Sequence, residues 1–348
     1  MMGVFGIVPL PPMGIRLQQA IIAKYAVILL VAFFLIKNKW LQAFLAYCVV
    51  NVTLMYSPSA SGTLQALCFF LIMYQVLVDN LNKDRITILL DTLCLIGVIQ
   101  SGMMILQYNG IWWLIQDAIH TGRGNITGIT SNPNIASAML ALCIPAFLRK
   151  GKFIFLPFLL SALVINKGLQ GILCTAIILT IYFSSKLYIK NRFIFIGLAL
   201  SAVGLWLWRS GEWMTFTRYD RLPIWWFSVR HLVPVKPIIG CGLGNGHLLY
   251  PVIAKFCHVT EAFTHPHNEF IFLLLETGVL GFGLVLGFLV CSIKRFCFVL
   301  NGEKLNILFG VIATIFLGFV GFPYHVTIGI ICLVYLAIME YQNRGENV

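Results

Sequence analysis

Charge is what this chain has least of. Asp, Glu, Lys and Arg make up 10% of its 348 residues, against about 25% in an ordinary soluble domain. With 59% hydrophobic residues and a mean hydropathy of +0.91, the scarcity excludes a soluble globular protein and puts the chain in the polytopic membrane class. Acidic residues are the rarest group, 12 against 24 Lys and Arg. In a soluble protein the resulting +12 would point to nucleic acid. Here the basic residues gather in short loops between apolar runs, where an excess anchors topology, so no nucleic acid partner is expected.

Other absences narrow the chemistry. The ten cysteines form no CxxC or related metal spacing, and Cys48, Cys68, Cys94, Cys143, Cys174 and Cys332 sit in apolar runs as small hydrophobes. No metal and no cofactor is expected. A cleavable leader is not expected either. The first apolar run follows Pro9, Pro11 and Pro12 with no basic region and no small-residue cleavage pattern. There is no convincing repeat, low-complexity tract or soluble-domain boundary, so residues 1–348 read as one transmembrane domain.

What the chain has is apolar runs. They cover roughly 15–36, 40–56, 64–80, 86–106, 134–148, 152–166, 169–185 and 192–208, then 268–293, 305–321 and 324–340. A crossing helix needs about 20 residues, so the expectation is an all-α polytopic bundle of about eleven transmembrane helices, with 134–148 and 152–166 short as drawn. Basic residues fall in alternate connections: Lys37 and Lys39; Lys83 and Arg85; Arg149, Lys150 and Lys152; Lys186, Lys190 and Arg192; Lys294, Arg295 and Lys304. With Arg344 in the tail, these connections read as cytoplasmic. The N-terminus, the 107–133 loop, the long 209–266 excursion and the Gly321-Phe322-Pro323 turn then lie outside. Trp112 and Trp113 mark an interfacial segment in the first of those loops.

The 209–266 excursion is the large polar segment of the chain, and its arginines exceed what topology requires. Arg218, Arg221 and Arg230, with Arg123 in the earlier loop, form the group of interest. A guanidinium fork matches phosphate oxygens, and fixed positive charge stabilises a diphosphate leaving group. The bland alternative is contact with lipid headgroups or pairing with Glu212, Asp220 and Glu261. His267 stands where the chain returns to the membrane, in His265-Pro266-His267-Asn268-Glu269. A neutral imidazole accepts a proton from a hydroxyl near pH 7, and a place in the first helical turn, for His267 or Asn268, would favour that neutral form.

Glu276 lies one to two turns further on, inside a span, and two readings stand: a functional carboxylate, or a structural one receiving a helix N–H or a lysine. The glycine-rich Ile239-Gly240-Cys241-Gly242-Leu243-Gly244-Asn245-Gly246 lacks the context of a nucleotide loop. It reads as a tight turn whose N–H groups could meet an anion. In Ser131-Asn132-Pro133-Asn134, Asn134 suits a helix cap and Asn132 could reach a ligand or a partner helix. Cys241 and Cys257 share the excursion and could form a disulfide outside the cell.

Three patches together resemble the O-antigen ligase and O-antigen polymerase superfamily of bacterial inner-membrane glycosyltransferases. They are Gly128 to Ser137 with its Asn-Pro-Asn helix start; Arg221-Leu222-Pro223-Ile224-Trp225 followed by Lys236 to Asn245; and His265 to Phe270 continued by Leu275-Glu276-Thr277-Gly278-Val279-Leu280-Gly281. The dense part spans about 130–285. The resemblance implies a GT-C-like helical bundle with a large periplasmic loop, acting as a metal-independent inverting enzyme. The donor would be a glycan on undecaprenyl diphosphate, and the acceptor lipid A-core for a ligase or a second lipid-linked glycan for a polymerase. Arg221 matches the family's essential loop arginine and His267 its histidine before asparagine. Arg218, Arg230 and Arg123 would assist with the diphosphate on electrostatic grounds, with Asn132, Asn134, Asn268 and Glu276 in supporting roles. Two features depart from the family: one span fewer than many members carry, and Ile165 to Gly171 without the arginine they often place there. A flippase or a non-catalytic lipid-binding assembly protein are the rival classes.

Overall fold

A computed structural model of the chain describes residues 28–55, 57–111, 126–130, 132–186, 221–257, 267–297, 302–320 and 326–345. Regular structure among them is helical, without strands. The main helices are α1 (Lys39–Leu54), α2 (Pro58–Asn80), α3 (Lys83–Tyr108), α4 (Pro133–Phe147), α5 (Leu156–Asn166), α6 (Leu169–Lys186), α7 (Arg221–Phe227), α8 (Gly246–Phe256), α9 (Glu269–Phe296), α10 (Gly302–Val320) and α11 (Val326–Gly345). Nine of the expected apolar intervals coincide with α1–α6 and α9–α11. The run at 192–208 and most of 15–36 lie outside the described residues, as do Arg123, Arg218, Trp112, Trp113 and the 321–323 turn.

The helix starts follow from local chemistry. Asn38, Ser57, Asn82, Asn132 and Asn268 each occupy an extended cap position, and each side chain accepts a backbone N–H of the first turn. Such a cap satisfies one of the orphan donors at the head of a helix. Pro58 and Pro133 follow two of these caps, where the missing N–H costs nothing.

Among the described residues, three helices are long and apolar enough to cross a membrane: Gly62–Asn80 within α2, Lys83–Tyr108 and Glu269–Phe296. Shorter apolar helices accompany them at Pro133–Phe147, Phe153–Asn166, Leu169–Ser185 and Lys304–Val320. The interval at 134–148 is short for a physical reason. Its 15 residues span about 22 Å, less than the ~30 Å hydrocarbon layer, and every residue from Ile135 to Phe147 is buried. A helix apolar on all sides belongs in a protein interior; α4 is the central post of the bundle, packed by α3, α6 and α10.

The polar contacts sort into two ends. At one, Lys37 and Arg344 both pair with Asp79, at 3.0 and 2.8 Å, Arg149 and Lys152 pair with Asp91, and Asn343 donates to the Ser292 carbonyl. Connections expected to share a side therefore meet there. At the other end the chain around Met55 joins residues 239–245, and residues 126–129 join the end of α3 and Asn166.

Candidate functional site

Helix α9 is broken. Gly278 has φ 64 and ψ −170, a conformation essentially confined to glycine. A break of this kind frees backbone donors and acceptors within an apolar helix, and each must find a partner. The stretch between α7 and α8 supplies them. Cys241 and Gly242 donate their N–H groups to the Leu275 and Glu276 carbonyls at 2.8 and 2.9 Å. In return the Pro237 and Ile238 carbonyls accept from Val279 and Leu280 at 2.8 and 3.3 Å. The approach is so close that a Cβ on Gly278 would overlap the Ile238 carbonyl, and one on Gly240 the backbone of Glu276.

Helix α1 clamps the same loop from the other side. The Asn51 carboxamide donates to the Ile239 carbonyl at 2.7 Å and accepts the Leu243 N–H at 2.7 Å. The Tyr47 hydroxyl donates to the Thr277 carbonyl at 2.5 Å, so it holds the broken turn directly. Asn245 donates to the Met55 and Cys241 carbonyls, both at 3.0 Å.

Glu276 is buried at the break, and its Oε1 accepts the Gly246 N–H at 2.9 Å. Of the two readings of Glu276, this is the structural one: a carboxylate receiving the first N–H of a helix. It also corrects the expectation that the glycine-rich loop presents its N–H groups to an outside anion. The N–H groups of Cys241 and Gly242 are engaged by backbone carbonyls of α9, that of Leu243 by Asn51 and that of Gly246 by the Glu276 carboxylate.

A small hydrophobic cluster of Ile224, Tyr250, Ile253 and Leu275, with Trp225, Ile271 and Phe272 around it, joins α7, α8 and the first half of α9. Arg221 opens α7; its side chain, like Arg218 and Arg123, is outside the description. A π-helical turn, Ser228–Leu232, continues α7, and such turns recur at functional positions. Arg230 in that turn is exposed, with its guanidinium 5.5 Å from the centre of the Trp226 ring. At the head of α9, Asn268 is buried and caps the helix by accepting the Ile271 N–H at 3.0 Å. His267 precedes the cap, half-buried, in the left-handed region at φ 53. Neither residue lies in the first helical turn, as the sequence had suggested: the cap position takes Asn268, and His267 is held just outside it.

At the head of α4 the cap falls two residues earlier than expected. Asn132 is the cap, its Oδ1 accepting the Asn134 N–H at 2.8 Å, whereas the Asn134 carbonyl accepts from Gln170 and Ser137. The turn before it hangs on two glutamines that sequence reasoning passed over. Gln107 accepts the N–H groups of Thr127 and Gly128, both at 2.8 Å, and Gln100 accepts that of Ile129 at 2.9 Å while donating to Thr127. The available signal was polarity inside an apolar run, at a seven-residue spacing that puts both carboxamides on one helix face.

Cys241 and Cys257 stand as thiols with no disulfide between them. Among the described residues no group of three or more His, Cys, Asp or Glu side chains is placed to hold a metal ion.

No protein-family model matches the chain, and no curated protein matches it. The functional reading therefore rests on its own residues.

Proposed function

We propose that the chain is a membrane glycosyltransferase of the O-antigen ligase type, moving a glycan from undecaprenyl diphosphate to a hydroxyl of lipid A-core. Joining two lipid-linked repeats, the polymerase reaction, uses the same bond chemistry. One observation carries the reading: the Ile224–Tyr250–Ile253–Leu275 cluster ties the arginine-bearing α7 segment to the half-helix that His267 precedes. The two residues that carry the resemblance most directly stand at the start of α7 and just before α9, elements that this cluster packs against each other, although 46 positions separate them (267 − 221).

In the proposed reaction the acceptor hydroxyl oxygen forms a bond to the anomeric carbon as the bond from that carbon to the diphosphate oxygen breaks. The configuration inverts and the lipid diphosphate leaves. Arg221, with Arg218, Arg230 and Arg123, neutralises the charge gathering on the diphosphate, and His267 takes the hydroxyl proton. Asn268 and Glu276 position rather than react, the first by capping α9 and the second by fixing α8 against the break. A carrier would need a polar path along broken helices; the break in α9 is instead closed by the protein's own backbone.

The test uses purified chain in vesicles with an undecaprenyl-diphosphate glycan and either acceptor. Both Arg221→Ala and His267→Ala are expected to lower transfer by about 100-fold or more while the chain still accumulates in the membrane. Parental rates in both variants would overturn the reading, and translocation without bond transfer would make the protein a carrier. Product formed only with a second lipid-linked glycan would make it a polymerase.

A further inference from the structure

The stretch from Lys236 to Gly246 has the path of a loop and the hydrogen bonds of a buried element. Gly240 donates to the Lys236 carbonyl, Cys241 and Gly242 to α9, Leu243 to Asn51 and Gly246 to Glu276. The carbonyls of Pro237, Ile238 and Ile239 accept from Val279, Leu280 and Asn51. A loop in water has no need of such closure, since solvent meets its backbone. In hydrocarbon, irregular backbone persists only where protein satisfies it.

The depth agrees. Val279 is ten residues into α9, about 15 Å from its start, which is about half of a ~30 Å hydrocarbon layer. Tyr47, bonded to the same break, is seven residues before the end of α1, about 10 Å inside it. Beside this deep contact the side chains are apolar and bare: Ile238 is 60% exposed, next to Val279 at 57% and Leu280 at 51% on α9, itself a candidate span. On α7 and α8, Trp226, Leu248 and Phe256 are exposed apolar side chains as well. Residues 221–257 contain Arg221, Arg230, Lys236 and Lys255 and no Asp or Glu; Lys236 lies within the buried stretch with its Nζ 3.4 Å from the Met55 sulfur, and the other three flank that stretch. Tryptophan favours the headgroup level, and basic residues favour an anionic lipid surface.

We propose that residues 233–243 form a re-entrant element that enters the lipid bilayer beside α9, with α7 and α8 seated on its anionic headgroup surface. The occupant of the bare apolar face is lipid. This part of the long excursion is a membrane element rather than an aqueous loop, and the proposal stands apart from glycosyl transfer.

Tryptophan quenching in the full chain, reconstituted in phosphatidylethanolamine–phosphatidylglycerol vesicles, tests it. The fluorescence difference between parent and Trp226→Phe isolates Trp226, and the difference between Ile238→Trp and parent isolates position 238, where an exposed side chain leaves room for the indole. The Trp226 signal is expected to be lost to lipids brominated near the headgroup and the position-238 signal to lipids brominated further along the acyl chain. Both are expected to resist aqueous acrylamide. Acrylamide quenching of both signals, with bromolipids ineffective, would overturn the proposal. So would shielding from both quenchers, which a protein partner or a second copy would produce. The Trp226 measurement stands alone should Ile238→Trp fail to fold.

Discussion

The two ends of the bundle solve the same problem with different chemistry. At one, charged side chains meet near the surface: Asp79 with Lys37 and Arg344, and Asp91 with Arg149 and Lys152, all but Arg149 at least about 30% exposed. At the other, neutral carboxamides, a tyrosine and one buried carboxylate bind backbone groups: Asn51, Tyr47 and Glu276 around the α9 break, Gln100, Gln107 and Asn166 around residues 126–129. Exposed ion pairs contribute about 0–1 kcal/mol each. A buried backbone group left without its partner costs about 1–3 kcal/mol. The charged end orients and sorts the connections; the neutral end holds irregular backbone in place, and it is where the candidate site lies.

That difference sets the order of the expected effects. Gly278→Val should be the most damaging, at about 4 kcal/mol or more, because a β-branched residue is strained at this backbone conformation and collides with the Ile238 carbonyl. Little or no folded chain should be recovered in detergent, and a normal yield with a parental melting temperature would break the comparison at its centre. Asn51→Leu leaves the Ile239 carbonyl and the Leu243 N–H without their partner, a loss of about 3 kcal/mol that thermal unfolding should register. Glu276→Ala removes the acceptor of the Gly246 N–H, for about 2 kcal/mol, and Glu276→Gln, which keeps an acceptor oxygen, should recover much of it. Equal melting temperatures for those two variants would mean that the hydrogen bond is not what Glu276 provides. Asp91→Asn, at the charged end, should shift stability by less than about 1 kcal/mol. A larger loss there than at Asn51 would invert the contrast between the ends.

Much of the frame could be read without coordinates. Helix intervals such as 86–106 and 268–293 follow from runs of apolar residues, and the shared side of Lys37, Arg149 and Arg344 follows from where basic residues interrupt those runs. The site was less legible. At α9 the cap fell on Asn268 with His267 outside the helix, and at α4 on Asn132 rather than Asn134. A shift of one or two residues in a cap depends on backbone dihedrals that residue type alone does not set. The glycines at 240–246 suggested a turn, which was right, and N–H groups open to an anion, which was wrong because α9 and Asn51 engage them.

Composition and the linear spacing of charge determined that this is a helical protein with membrane-crossing character whose basic connections gather at one end, since burial preference and loop charge are properties of each segment by itself. Only the folded chain decided that α9 breaks at Gly278, that the glycine-rich stretch repairs the break, and that Glu276 and Asn51 hold it there. Those bonds join residues 30 to 192 positions apart. No local pattern encodes a partner that distant, and the partners become visible only when packing brings unmet backbone groups face to face.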